Sequence, residues 1–158
     1  MGVLLLPLPL LPILWLLLLL LPPSLLLPAA AAACLSGSDA LRQAWDLGGS
    51  QQFRSEWGRY TRGCHVILFC VDTNDRERLP LARKELHALL EDPELAQMPL
   101  LVLGNKIDLE PHMSKEEIIK GLNLDYIQDQ PWECMAISGL RGLGVERVVD
   151  WLVQHSSG

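Results

Sequence analysis

Asn105, Lys106, Ile107 and Asp108 follow directly on an apolar run, Leu100–Gly104. A fixed carboxylate such as Asp108 accepts two hydrogen bonds and pairs with an edge that presents two adjacent donors. Guanine offers that edge at N1 and N2, and adenine does not. A buried acceptor left unpaired by the wrong base costs about 1–3 kcal/mol, which gives the selectivity a physical basis. The alkyl stem of Lys106 can lie flat on the base, and Asn105 can tie neighbouring loops together. Taken alone, the four residues equally suit a strand end running into a turn.

Two further stretches carry matching chemistry. Trp45–Gly49 reads WDLGG. An aspartate there, Asp46, can hold Mg²⁺ through a water, while the Gly48–Gly49 pair lets a backbone N–H approach a terminal phosphate. Cys134–Ser138 reads CMAIS and places the small Ala136 after a short strand, where its N–H can meet the guanine carbonyl.

These motifs stand with FRSEWGRY (Phe53–Tyr60), VDTNDRERL (Val71–Leu79) and DWLVQHS (Asp150–Ser156). Together they resemble the Arf-like branch of small GTPases, from Ala44 to Gly158. The ending, with IQDQ (Ile127–Gln130), is most similar to the lysosome-associated Arf-like proteins. The resemblance implies the α/β fold of a P-loop NTPase of small-GTPase type, a parallel sheet flanked by helices. It implies GTP or GDP with Mg²⁺ as cofactors, and effector proteins of endolysosomal vesicle traffic as partners. It also implies a place on the cytoplasmic face of lysosomal or late endosomal membranes. Trp45 and Tyr60 match aromatic positions of the family's effector surface; core packing is the equal alternative for both.

The chain also departs from that pattern. A phosphate loop needs G-x-x-x-x-G-K-[ST], and no stretch fits. The first lysine is Lys84 and the first threonine Thr61, both after WDLGG. The phosphate-binding half is therefore expected to be missing, leaving a truncated domain with weak binding of nucleotide and Mg²⁺. Ser50 stands where the family has the glutamine that orients water, and Gln51 follows one residue later. No catalytic residue is assigned and little hydrolysis is expected. In the fold that the chain resembles, the strand before the phosphate loop sits in mid-sheet. Without it, the Leu41–Leu47 strand should lose its neighbour and the Cys64–Val71 strand should present an open apolar edge.

Three segments emerge: an apolar leader over 1–33, a joint over 34–43, and the partial GTPase domain over 44–158. No charged side chain precedes Asp39, so the net charge of -6 lies wholly beyond it. That acidic balance argues against nucleic acid. Val3–Leu21 is long enough to cross a bilayer, but Pro7, Pro9 and Pro12 interrupt it. Anchor, secretory signal, lipidated start and alternative first exon all remain open as readings of the leader. Ala31–Ala33 resembles a cleavage site; Leu6 replaces the Ser or Thr that a myristoylation signal wants after Gly2. An integral membrane protein is thus the alternative localisation. A non-enzymatic membrane-associated interaction module, or an unstable fragment, is the alternative function. Cys64, Cys70 and Cys134 fit reduced buried thiols better than a metal site.

The elements that must position these residues are short apolar strands alternating with helices. Leu100–Gly104 shows no alternation, as expected of a parallel strand buried on both faces. Arg76–Glu91 reads as a helix capped by Asp75, with Leu79, Ala82, Leu86 and Leu89 on one face. Ser114–Glu117 has capping-box spacing, with Gly121 as a stop. Gly144–His155 reads as a helix with Val145, Val148, Val149 and Leu152 inward. His87, His112 and His155 read as surface residues without partners.

Overall fold

The computed structural model describes residues 30–36, 43–47 and 65–155, the first two segments by backbone alone. The expectations for Gly48, Gly49, Ser50, Gln51, Tyr60 and Cys64, and for the leader before Ala30, lie outside the described residues. Five strands and three helices follow in the order β1 (Ala30–Ser36), β2 (Gln43–Leu47), β3 (Val66–Asp72), α1 (Leu79–Leu90), β4 (Leu100–Asn105), α2 (Lys115–Leu122), β5 (Trp132–Ala136) and α3 (Val145–His155). The sheet order is β2-β1-β3-β4-β5. β3, β4 and β5 are parallel, with Asp72 opposite Asn105 and Gly104 opposite Ala136.

Side chains alternate across a strand, so an unbroken apolar strand feeds two cores. Ile67, Phe69, Val71, Leu100 and Val102 pack on one face with Leu79, Ala82, Leu86 and Leu89 of α1 and with Ile118 and Leu122 of α2. Val66, Leu68, Leu101, Leu103, Met135 and Ile137 pack on the other with Val148, Trp151 and Leu152 of α3. The inward face read for α1 is the one observed. In α3, Trp151 takes the inward role expected of Val149, which is half-buried.

The chain ends of the helices are chemically marked. The Asp75 carboxylate accepts the Arg78 N–H at 3.1 Å and opens a short 3-10 turn ahead of α1. Ser114 Oγ accepts the Glu117 N–H at 3.2 Å, and the Glu117 carboxylate accepts the Ser114 N–H at 2.8 Å, a complete capping box. Gly121 does not stop α2. The helix runs to Leu122 and ends at Asn123, whose φ of 55° is left-handed. Gly121 instead allows close approach to α1, since a Cβ there would lie 2.1 Å from Leu79 Cδ2.

Two further expectations are corrected. The Val66–Asp72 strand has no open edge towards β2. β1 lies between β2 and β3, antiparallel to both, with Ala30 opposite Val71, Leu35 opposite Val66 and Ser36 opposite Gln43. Buried backbone N–H and C=O groups require partners, and β1 supplies them to β3 although alanine is a weak strand former. The histidines do have partners: His87 Nε2 meets the Leu122 carbonyl at 2.8 Å, His112 Nδ1 the Leu109 carbonyl at 3.1 Å, and His155 Nδ1 the Trp151 carbonyl at 2.8 Å. No helix among the described residues is long and apolar enough to cross a membrane.

Candidate functional site

β3, β4 and β5 end together because their registers are level, and polar residues collect where the apolar strands stop. Asp72 closes β3, Asn105 closes β4 and Ala136 closes β5. Ligands of open α/β sheets lie at such carboxyl ends.

Asn105 is the hub. Its Oδ1 accepts the Lys106 N–H at 2.8 Å and the Gly139 N–H at 3.0 Å, joining the loop after β4 to the loop after β5. Its backbone carbonyl accepts both the N–H and the hydroxyl of buried Thr73, each at 2.9 Å. The loop-tying role read for Asn105 is therefore physical. Lys106 carries a φ of 74°, a conformation that costs a side-chain-bearing residue about 1–2 kcal/mol. The Asn105 side chain holds its N–H, and the Lys106 ammonium donates to Asp72 Oδ2. Lys106 is thereby fixed at both ends, with its alkyl stem spanning the ends of β4 and β3.

Asp108 accepts a hydrogen bond at Oδ1 from the Ser138 hydroxyl. Ser138 is fully buried, and its Oγ also accepts the Arg141 N–H at 3.0 Å. A carboxylate has about four lone-pair positions, so acceptor capacity remains for a ligand with two donors. The backbone closes the same loops: the Ile137 N–H donates to the Gly104 carbonyl at 2.8 Å, and the Ile107 N–H to the Ile137 carbonyl at 3.2 Å. Both polar groups of Ile137 thus face β4. Strand alternation turns those of Ala136 the other way, off the sheet edge. Gly144, with φ of 76°, packs under this point, where a Cβ would lie 2.8 Å from the Ala136 carbonyl oxygen.

The structure brings Asn105, Lys106, Asp108 and Ala136 together. Asp46 and Trp45 lie on β2, which β1 and β3 separate from β4. In register, Asp46 is opposite Ala33 and so level with Leu68, four residues short of Asp72. The described residues fit a guanine base; for Mg²⁺ and phosphate they offer Asp46 by backbone position alone.

Sequence reasoning gave no role to Asp72, Thr73, Asn74, Ser138 or Gly139. The Asp72 and Asn74 signals were present in VDTND, a turn-forming run: the Asn74 N–H bonds Asp72 Oδ1 at 2.9 Å, and its Nδ2 reaches the Pro111 carbonyl at 3.2 Å. Gly139 donates only its backbone, which carries no type signal.

Comparison with known proteins bears on the same residues. The description of the Arf (ADP-ribosylation factor) family matches residues 35–156. ADP-ribosylation factor-like protein 8c of Arabidopsis thaliana is 42% identical over 112 residues, covering 71% of this chain. The chain spans 61% of that relative's length. Among solved structures, the Arl6 BBS3 small GTPase from Trypanosoma brucei, with bound nucleotide analogue GppNp, superposes with a TM-score of 0.70 at 26% identity, over 80% of this chain and 79% of that one.

Proposed function

The chain belongs to the ADP-ribosylation factor family, and from that premise we propose that it is an Arf-like guanine-binding protein whose phosphate contacts and hydrolysis are impaired. The observation that carries the reading is the fixed Asp108 carboxylate. Ser138 orients it, and Asn105 locks the two surrounding loops together. A preorganised acceptor pays little ordering cost when a two-donor edge docks. The Ala136 N–H supplies a donor for the guanine carbonyl.

Asp46 and the Gly48–Gly49 pair are the residues that would meet Mg²⁺ and the terminal phosphate. Without a G-x-x-x-x-G-K-[ST] stretch, that half of the site contributes little affinity. Ser50 replaces the water-orienting side chain with one too short to reach.

The similarity of IQDQ and DWLVQHS to lysosome-associated Arf-like proteins supports a place at the cytoplasmic face of lysosomal or late endosomal membranes. There the chain recruits effectors of endolysosomal traffic, with Trp45 and Tyr60 on the effector surface and the part of the 1–33 leader that precedes β1 as the membrane contact. β1 also supports a second reading, a non-enzymatic interaction module: with β3's edge paired, the sheet needs no nucleotide to be complete.

Titration of the pure chain with GDP, with ATP and Asp108→Ala as controls, tests the guanine reading. Binding that both ATP and the variant lack is expected. Equal binding of ATP and GDP overturns it, and a folded chain that binds neither favours the module.

A further inference from the structure

The direction of β1 removes one route by which this chain could hold a phosphate. β3, β4 and β5 all point their carboxyl ends at Asp72, Asn105 and Ala136. β1 runs against β3, with Ala30 opposite Val71 and Leu35 opposite Val66. Its amino end therefore lies at the site and its carboxyl end, Ser36, lies roughly 20 Å away at the far end of the sheet. A loop that cradles phosphate follows the carboxyl end of a strand and leads into a helix, so that successive N–H groups converge on the anion. Here Ser36 pairs with Gln43, and the chain after β1 returns at the far end as β2.

No charged side chain occurs anywhere before Asp39. A second observation comes from the site itself. Lys106, its cation, is already paired with Asp72. A phosphate group close to these residues would meet a Lys106–Asp72 pair of no net charge and the Asp108 carboxylate. Each added phosphate charge ~4 Å from that carboxylate loses about 1 kcal/mol in water, and the paired Lys106 does not offset it.

We propose that the site takes guanine nucleosides and does not read their phosphates: guanosine, GMP, GDP and GTP are one ligand class to this chain, bound without Mg²⁺. The proposal rests on the guanine reading of Asp108 given above. It departs from that reading's family expectation, in which the terminal phosphate is what distinguishes the ligands.

The test is calorimetric titration of the full chain with guanosine, GDP and GTP, each with Mg²⁺ and again with EDTA. Adenosine is the base control. Asp108→Ala and Asp108→Asn serve as site variants, with folding followed by circular dichroism. The expected result is dissociation constants within about threefold across the guanine series, unchanged by EDTA, with adenosine and both variants much weaker. GTP binding tenfold or more tighter than guanosine in Mg²⁺, and losing that advantage in EDTA, overturns the proposal while leaving the guanine reading intact. No binding of any guanine compound, or equal binding of adenosine, overturns both.

Discussion

The Ser138 hydroxyl donates to Asp108 Oδ1 while its oxygen accepts the Arg141 N–H at 3.0 Å. A fully buried serine thus connects the loop after β5 to the carboxylate after β4. Ser138→Ala removes that tie and leaves the Arg141 N–H without its acceptor. Guanosine affinity should fall roughly tenfold, from a loss of about 1–2 kcal/mol. Parallel titrations of the two proteins at matched thermal stability check it.

Asp108→Asn keeps the shape and exchanges one acceptor for a donor. Xanthine carries a carbonyl where guanine carries its 2-amino group. The variant should therefore lose guanosine and gain xanthosine. Competition between the two nucleosides on one sample reads the switch directly.

Two glycines separate packing from recognition. Gly121→Ala forces a Cβ against Leu79 between α1 and α2. It should cost about 1–3 kcal/mol of stability and leave guanosine affinity unchanged. Gly144→Ala needs a φ of 76° and presses on the Ala136 carbonyl. It should lower both stability and affinity. Thermal melts and titrations of the pair distinguish the two effects.

The Glu117 carboxyl is held below its ordinary 4.5 by the Ser114 N–H and then by Arg76, 2.8 Å away. A lowered folded-state value stabilises the fold above the unfolded value and loses that contribution as pH falls through the folded value. Melts between pH 7 and pH 3 should show this loss below 4.5. In Glu117→Gln that component should be absent.

Burial pushes the Cys134 thiol up to about 11. Thiolate is the reactive form, so Cys134 should resist alkylation in the native chain at pH 8 and label on unfolding. The raised value stabilises the fold below the unfolded value of 9.0, and the contribution is lost as pH rises towards 11. Mass spectrometry after timed iodoacetamide pulses gives the readout.

Much of the scaffold was legible because it depends on local rules. The buried face of α1 follows from helical periodicity, and the capping box from the spacing of Ser114 and Glu117. Leu100–Gly104 announced a strand covered on both sides because no polar residue interrupts it. The partners of Asp72, Ser138 and Gly139 were not legible. Lys106 meets Asp72 across 34 residues, and Asp108 meets Ser138 across 30, so only the parallel registers bring them together. Gly121 misled because glycine serves both helix ends and close contacts, and the contact with Leu79 is tertiary.

The sequence by itself determined the α/β alternation, the two-sided core and the polar cluster after β4, since periodicity and residue chemistry act over a few positions. The tertiary structure alone decided what lies beside β3. Backbone hydrogen-bonding groups carry no residue code, so an alanine-rich strand can occupy that slot in either direction. In this chain it runs antiparallel, with its carboxyl end away from the site.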